Sequence, residues 1–346
     1  ADNLRVYSLA SAQWPDWGYQ AAAGQIRRFL LGFLQSADGA FYTSQDADLV
    51  PGRHGGDYFL LGDAERRARG VPRIDTHRYA RENGWAVGAL CALSAATGDA
   101  APLNEAVRAA DWVVAHRSLP GGGFRHDAAD AAGPFLGDTL AMGSAFLALY
   151  QATGSAAWLV RAEGAADFIR GHFARGAEPG YATCDTTSPS FPTPRPEFDE
   201  SIGLARFANL LGRATARPED RALAESSLRW ALSPEEVSRR GPYTGGLLLA
   251  VDELRTEPLH VTVVGRRDDP AARALFASAL RAPTAYKLVE WWDRREGPPP
   301  RGESIFPDLD KSSAYLCANG ACSSPMADAP ALSRRLDKAI AASGRQ

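Results

Sequence analysis

The sequence lacks the features that mark several common classes of protein. Four cysteines among 346 residues are too few for a disulfide framework. The 38 Lys and Arg residues are balanced by 41 Asp and Glu residues, so there is no basic excess for nucleic acid or an anionic membrane surface. No apolar run approaches the roughly 20 residues of a membrane span. We therefore predict a cytoplasmic protein that binds neither nucleic acid nor membrane.

The signatures of several enzyme chemistries are also missing. The sequence contains no phosphate-binding loop, dinucleotide fingerprint, HExxH motif or Ser-His-Asp signature. Its cysteines do not have the spacing of a four-ligand zinc site. We predict no cofactor and no bound metal. The chemistry, if there is any, must then come from acidic, imidazole or thiol side chains.

The sequence contains a helical-hairpin motif that is repeated three times. Each copy starts at an acidic residue, runs through an Ala- and Leu-rich helix to an Ala-Thr pair, breaks, and enters a second helix. The acidic residue lies fifteen positions before the Thr in every copy, which puts the copies in one register. A looser copy opens the chain at Asp2. The three copies occupy residues 82–114, 137–169 and 199–232.

A repeated helix–turn–helix predicts a helical array. We expect a mainly α protein, in which residues 1–255 form an (α/α) toroid of helical hairpins and residues 258–346 form a small α/β appendage. Because the chain starts within a hairpin, the toroid is expected to be N-terminally incomplete. The β-branched run at residues 260–264 favours a buried strand. Further strands are predicted at residues 286–292 and 313–317, and helices at residues 270–281 and 329–343.

Three segments of the sequence are similar to those of a known protein family. They are residues 40–48 (AFYTSQDAD), residues 314–322 (AYLCANGAC) with Pro325 after them, and the opening Ala-Asp-Asn. In combination they resemble the family of spermatogenesis-associated protein 20. The resemblance implies a toroid related to six-hairpin glycosidases and to sugar 2-epimerases. It also implies that this chain matches the C-terminal two-thirds of that toroid, without the family's thioredoxin-like domain.

The chain departs from the family pattern at two places. The family's Asp-Asp-Lys and Trp-Asn-Gly become Asp75-Thr-His77 and Glu82-Asn-Gly84 here, and its Leu-Asp-Asp-Tyr-Ala becomes Leu136-Gly-Asp-Thr-Leu140. Both places are expected to face the mouth of the toroid. At both places this chain therefore carries side chains that differ from the family's.

The acidic residues that open the repeats are the first candidates for a functional site. Inner helices of a toroid begin at one end of a central funnel, so Asp2, Glu82, Asp138 and Glu200 are predicted to form a ring of carboxylates there. Such a ring could bind sugar hydroxyls or supply an acid and a base. The alternative is that each carboxylate only caps its helix, where it satisfies free N–H groups and suits the macrodipole.

Histidines and a second acidic motif extend this prediction. His77 and His126 are the proton-transfer candidates, because imidazole titrates near neutral pH. With Glu82 and Asp138 they form the predicted catalytic set. An exposed loop histidine without a role is the alternative for each. The predicted substrate-binding residues, which lie next to these groups or in the loops around them, are Gln45, Asp46, Asp48, Asn83, Arg125, Tyr181 and Glu200. The Asp-x-Asp pair could instead order its own loop through an Asx-turn.

Cys317 and Cys322 form a C-x4-C pair at the end of a predicted strand. We expect the two side chains to lie close together without forming a closed metal site, and we treat them as redox candidates. Structural thiols or a disulfide are the alternative.

Two functions follow from these observations. The first is a carbohydrate-active protein, epimerase- or glycosidase-like, that uses carboxylate and His acid–base chemistry in the funnel on a small-molecule sugar. The second is a non-catalytic or thiol-redox-linked scaffold, whose partner is a thioredoxin-like domain or the N-terminal part of the same protein. The first is favoured by the repeat, the loop aromatics and the acidic ring, and the second by the cysteine pair.

Overall fold

The protein is mainly α-helical. The computed structural model describes residues 1–130, 132–187, 193–299, 306–318 and 321–342, and all statements below refer to these ranges. The helices are α1 Asp2–Gln13, α2 Tyr19–Phe29, α3 Gly56–Phe59, α4 Asp63–Arg69, α5 Ala80–Thr97, α6 Ala101–Arg117, α7 Leu136–Thr153, α8 Ala156–His172, α9 Phe198–Thr215, α10 Pro218–Ala231, α11 Pro234–Arg240, α12 Gly245–Arg255, α13 Pro270–Arg281 and α14 Ala329–Ala342. The strands are β1 Ser44–Gln45, β2 Ile74–Asp75, β3 Leu259–Val264, β4 Lys287–Trp292, β5 Ser313–Ala318 and β6 Ala321–Cys322.

The repeated hairpins form a toroid with an inner and an outer layer. Helices α1, α5, α7, α9 and α12 follow one another around the inside, each in contact with the next. Helices α2, α6, α8 and α10 each return along the outside and pack on their own inner helix. Most of α7 is buried, because it is Ala- and Leu-rich on all sides and so can be surrounded by other helices. The predicted mainly α toroid is confirmed.

The Ala-Thr register of the sequence corresponds to one recurring helix end. Helices α5, α7 and α9 all stop at the Thr, whose hydroxyl donates to the carbonyl four residues earlier at 2.8, 2.6 and 3.0 Å respectively. The next residue is left-handed in each case, with φ of 74° at Gly98, 69° at Gly154 and 60° at Ala216. A left-handed residue ends a helix by satisfying its last carbonyls. Ala216 does this without the freedom of glycine.

The loops that follow the outer helices, each with glycine and an aromatic residue, also recur. After α6 and α8 the chain turns back and forms a short antiparallel bridge, Ser118 to Phe124 and Ala174 to Tyr181. The segment that follows α2 does the same between Gln35 and Phe41. These turns bring the chain back toward the start of the next inner helix. The proline-rich segment before α9 lies partly outside the described residues.

The appendage is a four-stranded sheet with two helices on one face. Its strand order is β4-β3-β5-β6, with β3 and β4 parallel and the other pairs antiparallel. Helices α13 and α14 bury Leu275 and Leu336 against Val261 and Val263 of β3. The strands and helices that the sequence predicted in this region are found, within one or two residues at their ends.

The other face of the sheet packs on the toroid. The Tyr150 hydroxyl of α7 donates to Glu290 Oε1 at 2.8 Å, and Glu290 Oε2 lies 2.6 Å from His260 Nε2. The Val289 backbone N–H donates to Gln151 at 3.2 Å. The sheet therefore covers the C-terminal ends of the inner helices, opposite the end where the acidic residues lie. Among the helices of the described ranges, none has both the length and the apolar character that crossing a membrane requires.

Candidate active site at the start of the inner helices

A histidine and an aspartate form a dyad at the start of helix α7. His126 Nδ1 lies 2.9 Å from Asp138 Oδ1. Asp138 is almost fully buried and His126 is partly exposed. A carboxylate accepts, so Nδ1 carries the proton and Nε2 is the free edge of the ring. The hydrogen bond to Asp138 raises the pKa of His126, against an opposing effect of burial. Burial raises the pKa of Asp138, against the hydrogen bond from His126.

Asp138 also caps a helix, but the helix is not its own. Its Oδ1 accepts from the Arg81 backbone N–H at 2.9 Å, in the first turn of α5. This satisfies one of the free N–H groups at the start of the neighbouring inner helix. Asp138 therefore caps the neighbouring inner helix, whereas the capping alternative had predicted that it caps its own. It also fixes the carboxylate that orients His126.

Glu200 contacts the same turn of α7 from the other side. It belongs to α9, the inner helix that follows α7. Its Oε2 accepts from the Thr183 hydroxyl at 2.6 Å. Its Oε1 occupies the space beside Gly137, where an added Cβ would be 2.6 Å away. Burial raises the pKa of Glu200 to about 6. Gly137 thus leaves room for a partly buried carboxylate one residue before Asp138.

Glu82 completes the group, one residue after Arg81. Its Oε1 lies 3.3 Å from the Arg81 guanidinium. Its Oε2 is buried and has no hydrogen-bond partner among the described residues, and the same is true of Arg125 Nε, next to His126. Buried polar atoms are normally paired, so Glu82 Oε2 and Arg125 Nε are an acceptor and a donor whose bonds the described residues do not supply. We call Arg81, Glu82, His126, Asp138 and Glu200 the mouth cluster.

His77 extends the cluster outward through an aromatic stack. The Tyr79 ring lies between two imidazoles, with its centroid 4.0 Å from His126 and 5.5 Å from His77. His77 Nδ1 is 2.5 Å from Asp75, and its side chain is mostly exposed. Tyr79 therefore supports the flat face of His126. His77 itself lies at the outer end of the stack.

A cavity of about 380 Å³ opens inside the ring of inner helices. One wall is Trp85, which keeps 48% of its surface exposed and carries the Arg81 guanidinium 5.2 Å from its ring centre. Gly88 lies one turn further along α5, and a Cβ added there would meet only open space. Polar groups in the lining include Asp2, Arg5, Gln151 and Arg206. We call this space the inner cavity, and Arg81 connects it to the mouth cluster.

The acidic loop motif orders its own segment. Asp46 Oδ1 accepts from the Asp48 backbone N–H at 3.1 Å, and Asp48 Oδ1 accepts from the Gly55 N–H at 2.8 Å. Gln45 lies in β1, which pairs with β2. These contacts stay within residues 42–81. The Asx-turn interpretation thus describes the geometry of Asp46, whereas Asp48 holds a backbone N–H seven residues further along the same loop.

Two other residues that were predicted to bind substrate make structural contacts instead. Asn83 is fully buried, and its amide holds the backbone of Phe41 through an accepted bond of 2.7 Å and a donated bond of 2.9 Å. Tyr181 contacts Ser226 of the outer helix α10, and burial raises its pKa. Asn83 positions the loop before the site, and Tyr181 lies on the outer layer. Neither joins the mouth cluster.

Several residues of the site were not predicted. Arg81 and Tyr79 reach Asp138 and His126 through the packing of neighbouring hairpins, and Thr183 reaches Glu200 from the loop before α9. Trp85 has the usual appearance of a core residue in an apolar helix, and only its exposure in the cavity distinguishes it. Arg81 alone had a sequence signal, since it directly precedes a repeat-position carboxylate.

The cysteine pair is oxidised in this structure. Cys317 and Cys322 form a disulfide, whereas Cys91 and Cys184 are buried free thiols. Among the residues that the structure describes, no three His, Cys, Asp or Glu side chains come together as metal ligands would. The mouth cluster itself consists of carboxylate, imidazole and guanidinium groups, and the first two can transfer protons.

Comparison with known proteins reveals similarity at the level of the fold. No protein-family model matches the sequence, and no curated protein matches it. Solved structures do. The cellobiose 2-epimerase from Spirochaeta thermophila DSM 6192 has a TM-score of 0.51 and 18% identity over 69% of this chain and 59% of that one. A sugar epimerase from a ruminal bacterium has a TM-score of 0.50 and 16% identity over 66% and 57%.

A family 76 glycoside hydrolase from a bovine Bacteroides thetaiotaomicron strain is similar to the same extent, with a TM-score of 0.50 and 14% identity over 66% of this chain and 46% of that one. This chain spans about half to three-fifths of the length of these three structures. At such identities the likeness establishes the toroid fold alone. Membership in the spermatogenesis-associated protein 20 family stays a prediction.

Proposed function

We propose that this protein is a carbohydrate-active enzyme that moves protons on a sugar bound between the mouth cluster and the inner cavity. The observation that carries the proposal is the meeting of His126–Asp138 and Glu200 around the first turn of α7. The two titrating groups come from different hairpins, and each has a pKa displaced from its usual value. Groups of this kind in one cleft are typical of acid–base catalysts.

The directions of the two shifts assign the roles. Glu200, with a pKa of about 6, is ionised at neutral pH and is the base. The pKa of His126 is raised above that of an ordinary imidazole, so the ring keeps its proton longer and its Nε2–H is the acid. Asp138 holds Nδ1 and balances the imidazolium charge. Between the two pKa values an ionised base and a protonated acid coexist.

This pair suits epimerisation or isomerisation of an open-chain sugar. Glu200 removes the proton from the carbon next to the carbonyl, while the His126 Nε2–H donates a proton to the carbonyl oxygen. Protonated Glu200 can give a proton to the neighbouring carbon of the enediol, giving the isomer, or a proton from solvent can reach the same carbon from the other face, giving the epimer. In both cases His126 Nε2 takes back a proton from the hydroxyl that becomes the carbonyl, and in the second case Glu200 returns its proton to solvent. The fold shared with the two epimerases is consistent with this reaction.

Sugar binding is supported by the walls of the site. The exposed face of Trp85 offers an aromatic surface on which a pyranose ring can stack. The unpaired Glu82 Oε2 can accept from a hydroxyl, and the unpaired Arg125 Nε can donate to one. Asp2, Arg5 and Arg206 add further polar contacts inside the cavity. A mixed aromatic and polar lining is what a sugar needs.

Glycoside hydrolysis is the second candidate. The observation that favours it is a pair of carboxylates, Glu82 and Glu200, on the two helices that flank α7. One of them has a raised pKa, as a general acid in hydrolysis requires. The hydrolase of similar fold is consistent with this candidate.

Proton exchange measured by NMR tests the proposal. A panel of mono- and disaccharides is incubated with the protein in D2O near pH 6.5, above the pKa of about 6 of Glu200, where His126, whose pKa is raised, still holds its proton. We expect deuterium to enter the sugar at the carbon next to the carbonyl. New reducing ends without deuterium would identify the hydrolase instead. Binding heats from calorimetry are recorded with the same panel.

Matched variants locate the reaction. Glu200→Gln and His126→Asn should each lower exchange by at least about 10²-fold, while Glu225→Gln, a surface carboxylate of α10 paired only with Arg221, should leave it unchanged. The proposal fails if no sugar in the panel gives exchange, cleavage or heat. It also fails if Glu200→Gln exchanges as fast as the unaltered protein.

A further inference from the structure

The disulfide of the appendage lies far along the chain from the mouth cluster and is not used by the proposed sugar chemistry. We propose that Cys317–Cys322 is a thiol–disulfide exchange site, at which an external dithiol delivers two electrons to the appendage. This inference is independent of the carbohydrate activity. It rests on three observations about where the two sulfurs lie.

The first observation is that one of the two cysteine residues is exposed. Cys322 is exposed and lies in β6, the edge strand of the sheet. Cys317, in the neighbouring strand β5, is directly opposite it in the antiparallel register. Exchange requires a thiolate to approach a disulfide sulfur. The edge position leaves Cys322 open to such an approach.

The second observation is that the other sulfur borders a cleft. A space of about 380 Å³ lies between the end of α12 and the sheet, lined by Thr256, His260, Tyr286 and Cys317 among others. His260 is directly opposite Cys317 in the β3–β5 register, so both side chains are on the same face of the sheet. The cleft gives a thiolate released from Cys317 a space to move into. Cys317 is therefore suited to be the leaving sulfur.

The third observation is that the bridge is not what holds the sheet together. Strand β5 is paired with β3 over residues 313–317, and the core beneath it is formed by α13, α14 and β3. The disulfide only joins β5 to the two-residue strand β6. Opening the bridge should thus leave the appendage folded.

The proposed step balances as follows. A thiolate of the dithiol attacks Cys322 Sγ, the Sγ–Sγ bond breaks, and Cys317 leaves as a thiolate. The second thiol of the reagent then attacks its own sulfur in the mixed disulfide and releases the Cys322 thiolate. The dithiol is oxidised to a disulfide and the appendage pair is reduced by two electrons. The two protons lost by the dithiol are available to the two cysteines.

Differential alkylation of the native full chain tests the proposal. The protein is treated with dithiothreitol, or equilibrated with mixtures of reduced and oxidised glutathione, then alkylated and analysed by mass spectrometry. We expect Cys317 and Cys322 to be alkylated together, with both redox forms populated across the glutathione mixtures. Cys91 and Cys184, which are buried, should stay unmodified and report that the fold persists. Circular dichroism should not change.

Single-cysteine variants test the direction of attack. Cys317→Ser keeps the exposed sulfur and Cys322→Ser keeps the cleft sulfur. With oxidised glutathione the first variant should form a mixed disulfide at least roughly tenfold faster than the second. Equal rates, or a faster second variant, would overturn the assignment of Cys322. The whole proposal is wrong if the native bridge stays oxidised in every mixture, or if reduction exposes Cys91 and Cys184.

Discussion

Replacing Gly137 by Ala should disturb the candidate active site while leaving the fold intact. Gly137 lies in the first turn of α7, and its φ is not in the left-handed region, so alanine fits the backbone there. The added Cβ would meet Glu200 Oε1 at 2.6 Å, whereas ordinary contact begins near 3.4 Å. The carboxylate must move by roughly 0.8 Å. Because it is the far end of a flexible side chain, the helix itself need not shift.

The expected magnitudes differ for stability and for activity. Alanine gains at most about 1 kcal/mol of helix propensity over glycine, and the displaced Glu200 weakens a charged hydrogen bond to Thr183 worth about 1.5–3 kcal/mol before the carboxylate regains water. We expect the free energy of unfolding to change by less than about 2 kcal/mol. A displacement near 1 Å of a reacting group costs roughly 10²-fold in rate, which is about 2.7 kcal/mol in the barrier.

Two assays measure this contrast, urea unfolding followed by circular dichroism and deuterium exchange into the sugar. Gly24→Ala, within α2, is the control, since its Cβ would have only an ordinary contact of 3.7 Å with Arg28. The control should be as stable or slightly more stable, with unchanged exchange. If Gly137→Ala exchanges sugar protons at the rate of the unaltered protein, Glu200 is not the base and the reasoning is refuted.

Four further predictions follow from the same structure. Ala216→Gly should raise the free energy of unfolding in urea by up to about 1 kcal/mol, because φ is 60° there; a loss of stability would contradict this. Asn83→Ala should lower it by roughly 2–4 kcal/mol, because buried backbone groups lose their partner; an unchanged midpoint would count against that role. Gly88→Leu should fill the inner cavity and abolish calorimetric sugar binding without unfolding the helix, and retained binding would place the sugar elsewhere. The rate of deuterium exchange should rise as Glu200 ionises through about pH 6 and fall once His126, whose pKa is raised, loses its proton; a profile without the acid limb would exclude Glu200.

The sequence alone determined much of the architecture, because the relevant signals are local. The Ala-Thr pairs mark helix ends that recur with the same hydroxyl bond and the same left-handed residue at Gly98 and Gly154. The β-branched run at residues 260–264 became the central part of β3. The repeat-position acids Glu82, Asp138 and Glu200 all lie in the first turn of an inner helix. Turn-forming residues and hydrophobic periodicity act over a few residues. They therefore predict helices and strands without knowledge of the tertiary contacts.

Only the tertiary structure decided what those residues touch. Asp138 binds His126 and the start of α5, which depends on how two hairpins pack. Asn83, adjacent to Glu82, instead forms hydrogen bonds with the buried backbone of Phe41. Trp85 became a cavity wall rather than core because the inner helices leave a space at its face. Burial and the arrival of a charged partner from another hairpin are long-range events, and they set both the pKa of a carboxyl group and the ligand that it can meet.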